Sequence, residues 1–210
     1  MDIPFFPNTA DGTHCFQAAL AIVFSHFWPD RKFTFDELDK ISAKVPGKWT
    51  WPTAAMLWMM GEGLDIRLIE DFDYEDFAAR GEMYLVERLG NEVAKAQIEN
   101  SVVDQELGFA KKFAKIAPLE CRIPAFDDIR KLLQENFLII SNINAAALFG
   151  HKGYSGHFVV VFECDEKTLT IHDPGLPPKP SLKVDKKIFE KAWAYPTARE
   201  KNLLAIRLKD

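Results

Sequence analysis

The chain has 210 residues, 48% of them hydrophobic, and a formal net charge of −5. That length and apolar content are enough to fill one core, so a single domain carrying an insertion is expected rather than two domains. The acidic balance, with no run of Lys or Arg, excludes the electrostatic footprint of a nucleic-acid binder.

The opening stretch MDIPFFPNTADG has no basic segment followed by a long apolar run, so it does not read as a secretory signal. No window approaches about 18 uninterrupted apolar residues, and no membrane span is expected. Cys15, Cys121 and Cys164 form neither a disulfide framework nor a metal-type spacing. They predict reduced thiols in a cytoplasmic protein that carries no cofactor. Nothing in the pattern fixes an oligomeric state.

Ala18, Ala19, Ile22 and Val23 recur at helical spacing and predict a helix over 15–28, with Asp11 and Thr13 as capping residues upstream. Thr34 and Glu37 have capping-box spacing before Leu38 and Ile41, which opens a second helix. A third follows Trp51-Pro52, where proline is tolerated at a helix start, and Gly61 and Gly63 end it. IRLIE, 66–70, then reads as a short extended piece. From 73 to 117 the chain is rich in charge, with Val86, Leu89, Val93, Ile98, Leu107 and Phe113 near helical spacing. This block reads as a helical insertion, either an amphipathic pair completing the core or a cover over a site.

After Pro124, FDDIRKLLQEN predicts a short amphipathic helix feeding the strand FLIISNI. HFVVVFEC and KTLTIH read as an antiparallel hairpin turning near Asp165 and Glu166. A helix DKKIFEKAWA and a last strand LLAIRL follow. Helices first and an antiparallel sheet later define an α+β class.

Three residues in this layout carry chemistry. Cys15 opens the first helix, where the helix N-terminus and a neighbouring imidazolium both favour the reactive thiolate. His157 begins one strand of the hairpin and Asp173 ends the other, so cross-strand pairing makes them neighbours. A carboxylate on the far nitrogen of an imidazole fixes its tautomer and orientation. The separation of positions 15 and 157 falls in the range of about 130–150 residues expected between a papain-type nucleophile and its partners. His14 is a rival base, but neighbours at a helix start project in different directions. His172 is another, yet successive strand residues face opposite sides of a sheet. The scattered His14, Cys15, His157 and Asp173 lack the close ligand pairs of a zinc site.

Cys15 opening a helix, then Gly156-His157-Phe158-Val159-Val160, then Asp173-Pro174 resembles the bacteriocin-processing type of papain-like cysteine peptidase and its free-standing relatives. The resemblance covers the two ends of the chain and little of the middle. It implies a papain-like fold and a Cys15–His157–Asp173 catalytic set acting on a peptide or small amide substrate. Two departures stand out. Those relatives place a glutamine a few residues before the cysteine as oxyanion donor, where this chain offers only Asn8 upstream and Gln17 inside the helix. They also commonly follow the cysteine with glycine, where this chain has Phe16.

Further candidates have a functional reading beside a structural one, and for the Asn and Trp residues the structural one leads. Asn142 and Asn144 are placed either to hydrogen-bond a bound peptide or to cap a strand end. The glycine-punctuated stretch NAAALFGHKGYSG, ending at Gly156, is either a flexing loop or an ordinary connection. Trp49, Trp51 and Trp58 are either an aromatic groove or core. The leading expectation is a thiol hydrolase of peptide or amide bonds. The alternatives are a catalytically silent binding module of the same fold and a thiol acyltransferase.

Overall fold

The computed structural model describes residues 2–116 and 119–209. Ala117, the last residue of the predicted helical block, lies outside them. Three helices come first: α1 (Cys15–Phe27), α2 (Phe35–Ile41) and α3 (Thr53–Gly61). Strand β1 (Leu64–Glu70) precedes α4 (Tyr74–Arg80), α5 (Glu82–Asn100) and α6 (Val103–Phe113). The rest runs β2 (Leu119–Cys121), α7 (Phe126–Gln134), β3 (Leu138–Asn144), α8 (Ala145–Leu148), β4 (Gly156–Cys164), β5 (Thr168–Asp173), β6 (Lys179–Asp185), α9 (Lys186–Trp193), a short 3-10 turn at Ala198–Glu200, and β7 (Asn202–Leu208).

Helix α1 is apolar on every side from Ala18 to Phe24, and all of those residues are buried, as an all-round hydrophobic helix must be. Asp11 and Thr13 do not cap it as predicted. The Asp11 carboxylate is taken by the Thr13 N–H at 3.1 Å and by the hydroxyls of Thr9 at 2.6 Å and Thr13 at 3.0 Å. The N-cap residue is His14, and no side chain caps the helix. The capping box of α2 forms as read: Glu37 N–H donates to Thr34 Oγ1 at 3.3 Å and Thr34 N–H to Glu37 Oε2 at 2.8 Å.

Seven strands make one sheet in the order β2-β1-β7-β3-β4-β5-β6. The expected α+β arrangement forms, with additions. The extended piece 66–70 is part of a full strand, β1, paired along its length with β7, and β2 adds to β1 in parallel. The sheet is covered on both faces. Ile66, Leu68, Ile140, Val160 and Leu204 pack toward α1 and its neighbours. Ile69, Ile139, Val161, Leu203 and Ala205 point the other way, into a second core built with α7 and α9. Alternation along each strand supplies both layers.

Helices α4 to α6 occupy the block predicted as an insertion, and Phe77, Tyr84, Leu85 and Phe113 join the same core as α1. Val86, read as apolar-face, is 42% exposed. Gly90 breaks the helical conformation inside α5 (φ 75°), so no single stripe runs its full length. The hairpin β4–β5 forms in the expected sense, Val160 opposite His172 and Val161 opposite Ile171. Asp165 holds its turn by accepting from the N–H groups of Lys167 and Thr168, both at 2.7 Å.

Candidate active site

Cys15, His157 and Asp173 meet where the start of α1 crosses the end of the sheet formed by β4 and β5. Phe16, next to the thiol, packs on Phe158, next to the imidazole, with ring centroids 4.7 Å apart. Phe16 is 1% exposed, so it acts as the wedge that seats α1 against β4. This is what the departure from glycine achieves here.

The His157 Nε2 lies 2.6 Å from Asp173 Oδ1, and the Gly175 N–H donates to the same oxygen at 2.8 Å. Burial opposes charge on Asp173, but the bonds from His157 and Gly175 hold its carboxyl below the ordinary range. Burial also pulls His157 down, against which Asp173 and Cys15 together push it up to about 10. Burial raises the Cys15 thiol, and the adjoining His157 side chain outweighs it, helped by backbone hydrogen bonds from Phe158 and Phe16, so the thiol lies below its usual value. The arrangement favours a thiolate–imidazolium pair, with the carboxylate behind the ring.

Asn8 lies on the His157 and Asp173 side of the site. Its Oδ1 accepts from the His14 N–H at 2.8 Å, and its own backbone N–H donates to Pro174 O at 2.8 Å. Anchored through the oxygen, its amide nitrogen is free to donate, and the residue lines a cavity shared with His157 and Asp173. Gln17 is not there. It is fully buried, its Nε2 donating to Ser42 Oγ at 2.8 Å and Thr50 Oγ1 at 3.0 Å. Position 17 is one helical step inside α1, facing the core.

A second cavity, of about 300 Å³, opens on the other flank, lined by Cys15, Trp51, Asn142, Tyr154, Gly156 and His157 among others. Trp51 stacks on Phe77 (5.2 Å, 17°) and donates from Nε1 to Ser101 Oγ at 2.9 Å, so it is both wall and core. Trp58 belongs to the core alone, against Phe24 with centroids 5.4 Å apart. The Asn142 backbone exchanges hydrogen bonds with the Asn202 side chain, at 2.7 and 3.0 Å. Its own side chain has no hydrogen-bond partner among the described residues.

The Asn144 side chain is bound to the backbone of the following loop. It accepts from Ala146 and Ser155 N–H (3.1 and 2.9 Å) and donates to Gly153 O at 2.9 Å. It therefore caps α8 and ties down the glycine-rich stretch, which contains that one-turn helix rather than being a plain flexing loop.

His172 faces away as strand alternation requires: Nε2 meets Ile3 O at 3.1 Å and Nδ1 accepts from Ser181 N–H at 3.0 Å. His14 is held by Thr9 Oγ1 at 2.7 Å and by Asp39. Among the described residues no group of three or more His, Cys, Asp or Glu side chains is arranged to hold a metal ion.

Sequence reasoning missed Tyr154. Its hydroxyl accepts from Gln97 Nε2 at 3.2 Å, its ring stacks on Tyr195 (6.1 Å, 15°), and a Cβ at position 156 would sit 2.8 Å from that hydroxyl. Gly156 is thus required by the tyrosine that flanks it. The only local signal was an aromatic two residues before a glycine leading to the imidazole.

Residues 126–198 match the model of the Peptidase C39 family. The whole chain is similar to the peptidase domain of Streptococcus ComA, a bi-functional ABC transporter involved in quorum sensing. That likeness has a TM-score of 0.53 at 13% identity and covers 99% of this chain and 100% of that domain. No curated protein matches the chain. The structural likeness shows the fold, and the family match covers the segment that carries His157 and Asp173. Among the described residues no helix is long and apolar enough to cross a membrane.

Proposed function

We propose that the chain hydrolyses a peptide or amide bond with Cys15 as nucleophile. The supporting observation is the Cys15–His157–Asp173 contact, with His157 pushed up to about 10 and the thiol held down. Cys15 attacks the carbonyl carbon as thiolate. Charge builds on the carbonyl oxygen, where the Asn8 amide and the Cys15 backbone N–H at the start of α1 are the candidate donors. The His157 imidazolium protonates the departing amine, the C–N bond breaks, and an acyl thioester remains on Cys15. His157, now neutral, takes a proton from water, whose oxygen adds to the thioester and releases acid and thiolate. Asp173 keeps the ring in place throughout.

The test is labelling of Cys15 by iodoacetamide and by a peptidyl fluoromethyl ketone. Fast stoichiometric labelling that is lost in His157→Ala supports hydrolysis. Labelling no faster than that of a free cysteine peptide favours a binding module that keeps only the shape.

A further inference from the structure

The two cavities divide the reaction. Cys15 lines only the one bounded by Trp51 and Tyr154, whereas Asn8 and Asp173 line only the other, and His157 borders both. An acyl group stays bonded to Cys15 while the leaving amine departs past His157, so the cavity that Cys15 lines takes the acyl side of the substrate.

Its far wall is charged. Glu70 ends β1, and the register runs Glu70 opposite Asn202 on β7, Asn202 bonded to Asn142 on β3, and Asn142 opposite Phe158 on β4. Three strand spacings of about 4.8 Å separate β1 from β4, roughly 14 Å, or about four residues of extended peptide. The side chains of Phe72, Tyr74, Trp51 and Tyr154 also line the cavity.

The cations around that wall are already matched. Arg88 pairs with Glu200 and donates to the carbonyls of Asp71 and Arg199; Arg199 pairs with Asp71; Lys201 pairs with Glu190. Glu70 accepts from the Tyr74 hydroxyl at 2.6 Å and, among the described residues, has no salt bridge. Arg88, Arg199, Lys201 and Glu200 also line the cavity, each within an ion pair, which leaves Glu70 as its one lining carboxylate outside such a pair among the described residues. Burial pushes it up to about 7, against the Tyr74 bond and Arg88, and an ammonium beside it would favour its charged form.

Resting on the acyl-enzyme reading above, we propose that Glu70 makes this cavity a subsite for a cationic side chain, lysine or arginine, within about four residues on the acyl side of the scissile carbonyl. The aromatic walls suit the hydrocarbon stem and, through their ring faces, the charge.

The inference is tested by binding, independently of turnover. Calorimetry on the Cys15→Ala protein compares N-acetylated tetrapeptide amides, otherwise alanine, that carry lysine or norleucine at each position in turn. At one position lysine is expected to bind at least about tenfold tighter, the size of a charge-assisted hydrogen bond. Glu70→Gln, which keeps an acceptor for Tyr74, is expected to abolish the preference, with its thermal midpoint checking the fold, and Glu70→Lys to turn it toward glutamate. Equal affinity at every position, no binding of either peptide, or a lysine preference that survives Glu70→Gln overturns the subsite. Iodoacetamide labelling of the wild-type protein judges the nucleophile separately, so the two ideas fail by different measurements.

Discussion

The α-carbon of Gly175 lies so close over Asp173 that a Cβ there would stand 2.8 Å from Asp173 Oδ1 and 3.3 Å from His157 Nε2. The same residue donates its N–H to that oxygen. One glycine thus both binds the carboxylate and leaves room for the imidazole.

Gly175→Ala is therefore expected to lower kcat/KM by about a hundredfold, since displacing a reacting group by about an ångström costs on that order. Position 175 does not have the left-handed backbone that favours glycine, so the loss comes from the contact and not from backbone strain. Steady-state kinetics alongside a thermal midpoint within a few degrees of wild type would show it. Full activity in the alanine variant would mean that the ring is not held where the structure has it.

The thiol lies below its usual value and His157 at about 10, so the thiolate–imidazolium pair persists between the two titrations. Hydrolysis is expected to rise through the thiol titration and to fall as His157 loses its proton near pH 10. In His157→Ala the iodoacetamide rate profile moves to higher pH, because burial of the sulfur then acts without its offset. Superimposable profiles for the two proteins would contradict the coupling.

Asn8→Ala is expected to reduce kcat by about a hundredfold to a thousandfold, the range for removal of one oxyanion donor, with KM little changed. The variant also loses the acceptor for His14 N–H, at a cost of about 1–3 kcal/mol. Denaturant unfolding measures that part and separates it from the kinetic effect. An unchanged kcat would assign the oxyanion to backbone N–H groups alone.

Glu106 is 4% exposed, its Oε2 has no partner among the described residues, and burial pushes it from 4.5 up to about 7. Its folded-state value is raised, so charging it opposes folding. The penalty is absent below about pH 4.5 and grows as pH rises to about 7. At about 1.4 kcal/mol per unit it reaches about 3 kcal/mol. Glu106→Gln is expected to stabilise the protein by an amount of that order at pH 8 and by little at pH 4. Chemical denaturation at the two pH values tests it, and equal effects at both would count against a buried carboxyl.

The parts of the site that were legible in the sequence are those written in local pattern. Cys15 at a helix start, the β4–β5 strands with their Asp165 turn, and the Asp173-Pro174-Gly175 end could be placed because short-range spacing fixes each. The strand order could not, because β7 pairs with β1 across most of the chain and only long-range packing sets that register. Glu70, Arg88 and Tyr154 became cavity residues for the same reason: their neighbours come from distant segments. Gln17 failed as a donor because its helical phase aims it at Ser42 and Thr50, a direction that residue type alone does not reveal.

The seating of Phe16 on Phe158 has a consequence for the chain during its own synthesis. Cys15 is synthesised on α1 before the ring and carboxylate beside it, which come from β4 and β5. A copy in which those strands are absent or misfolded therefore carries an ordinary, sluggish thiol. Under the proposed mechanism, the nucleophile is armed only once β4 and β5 have folded against α1.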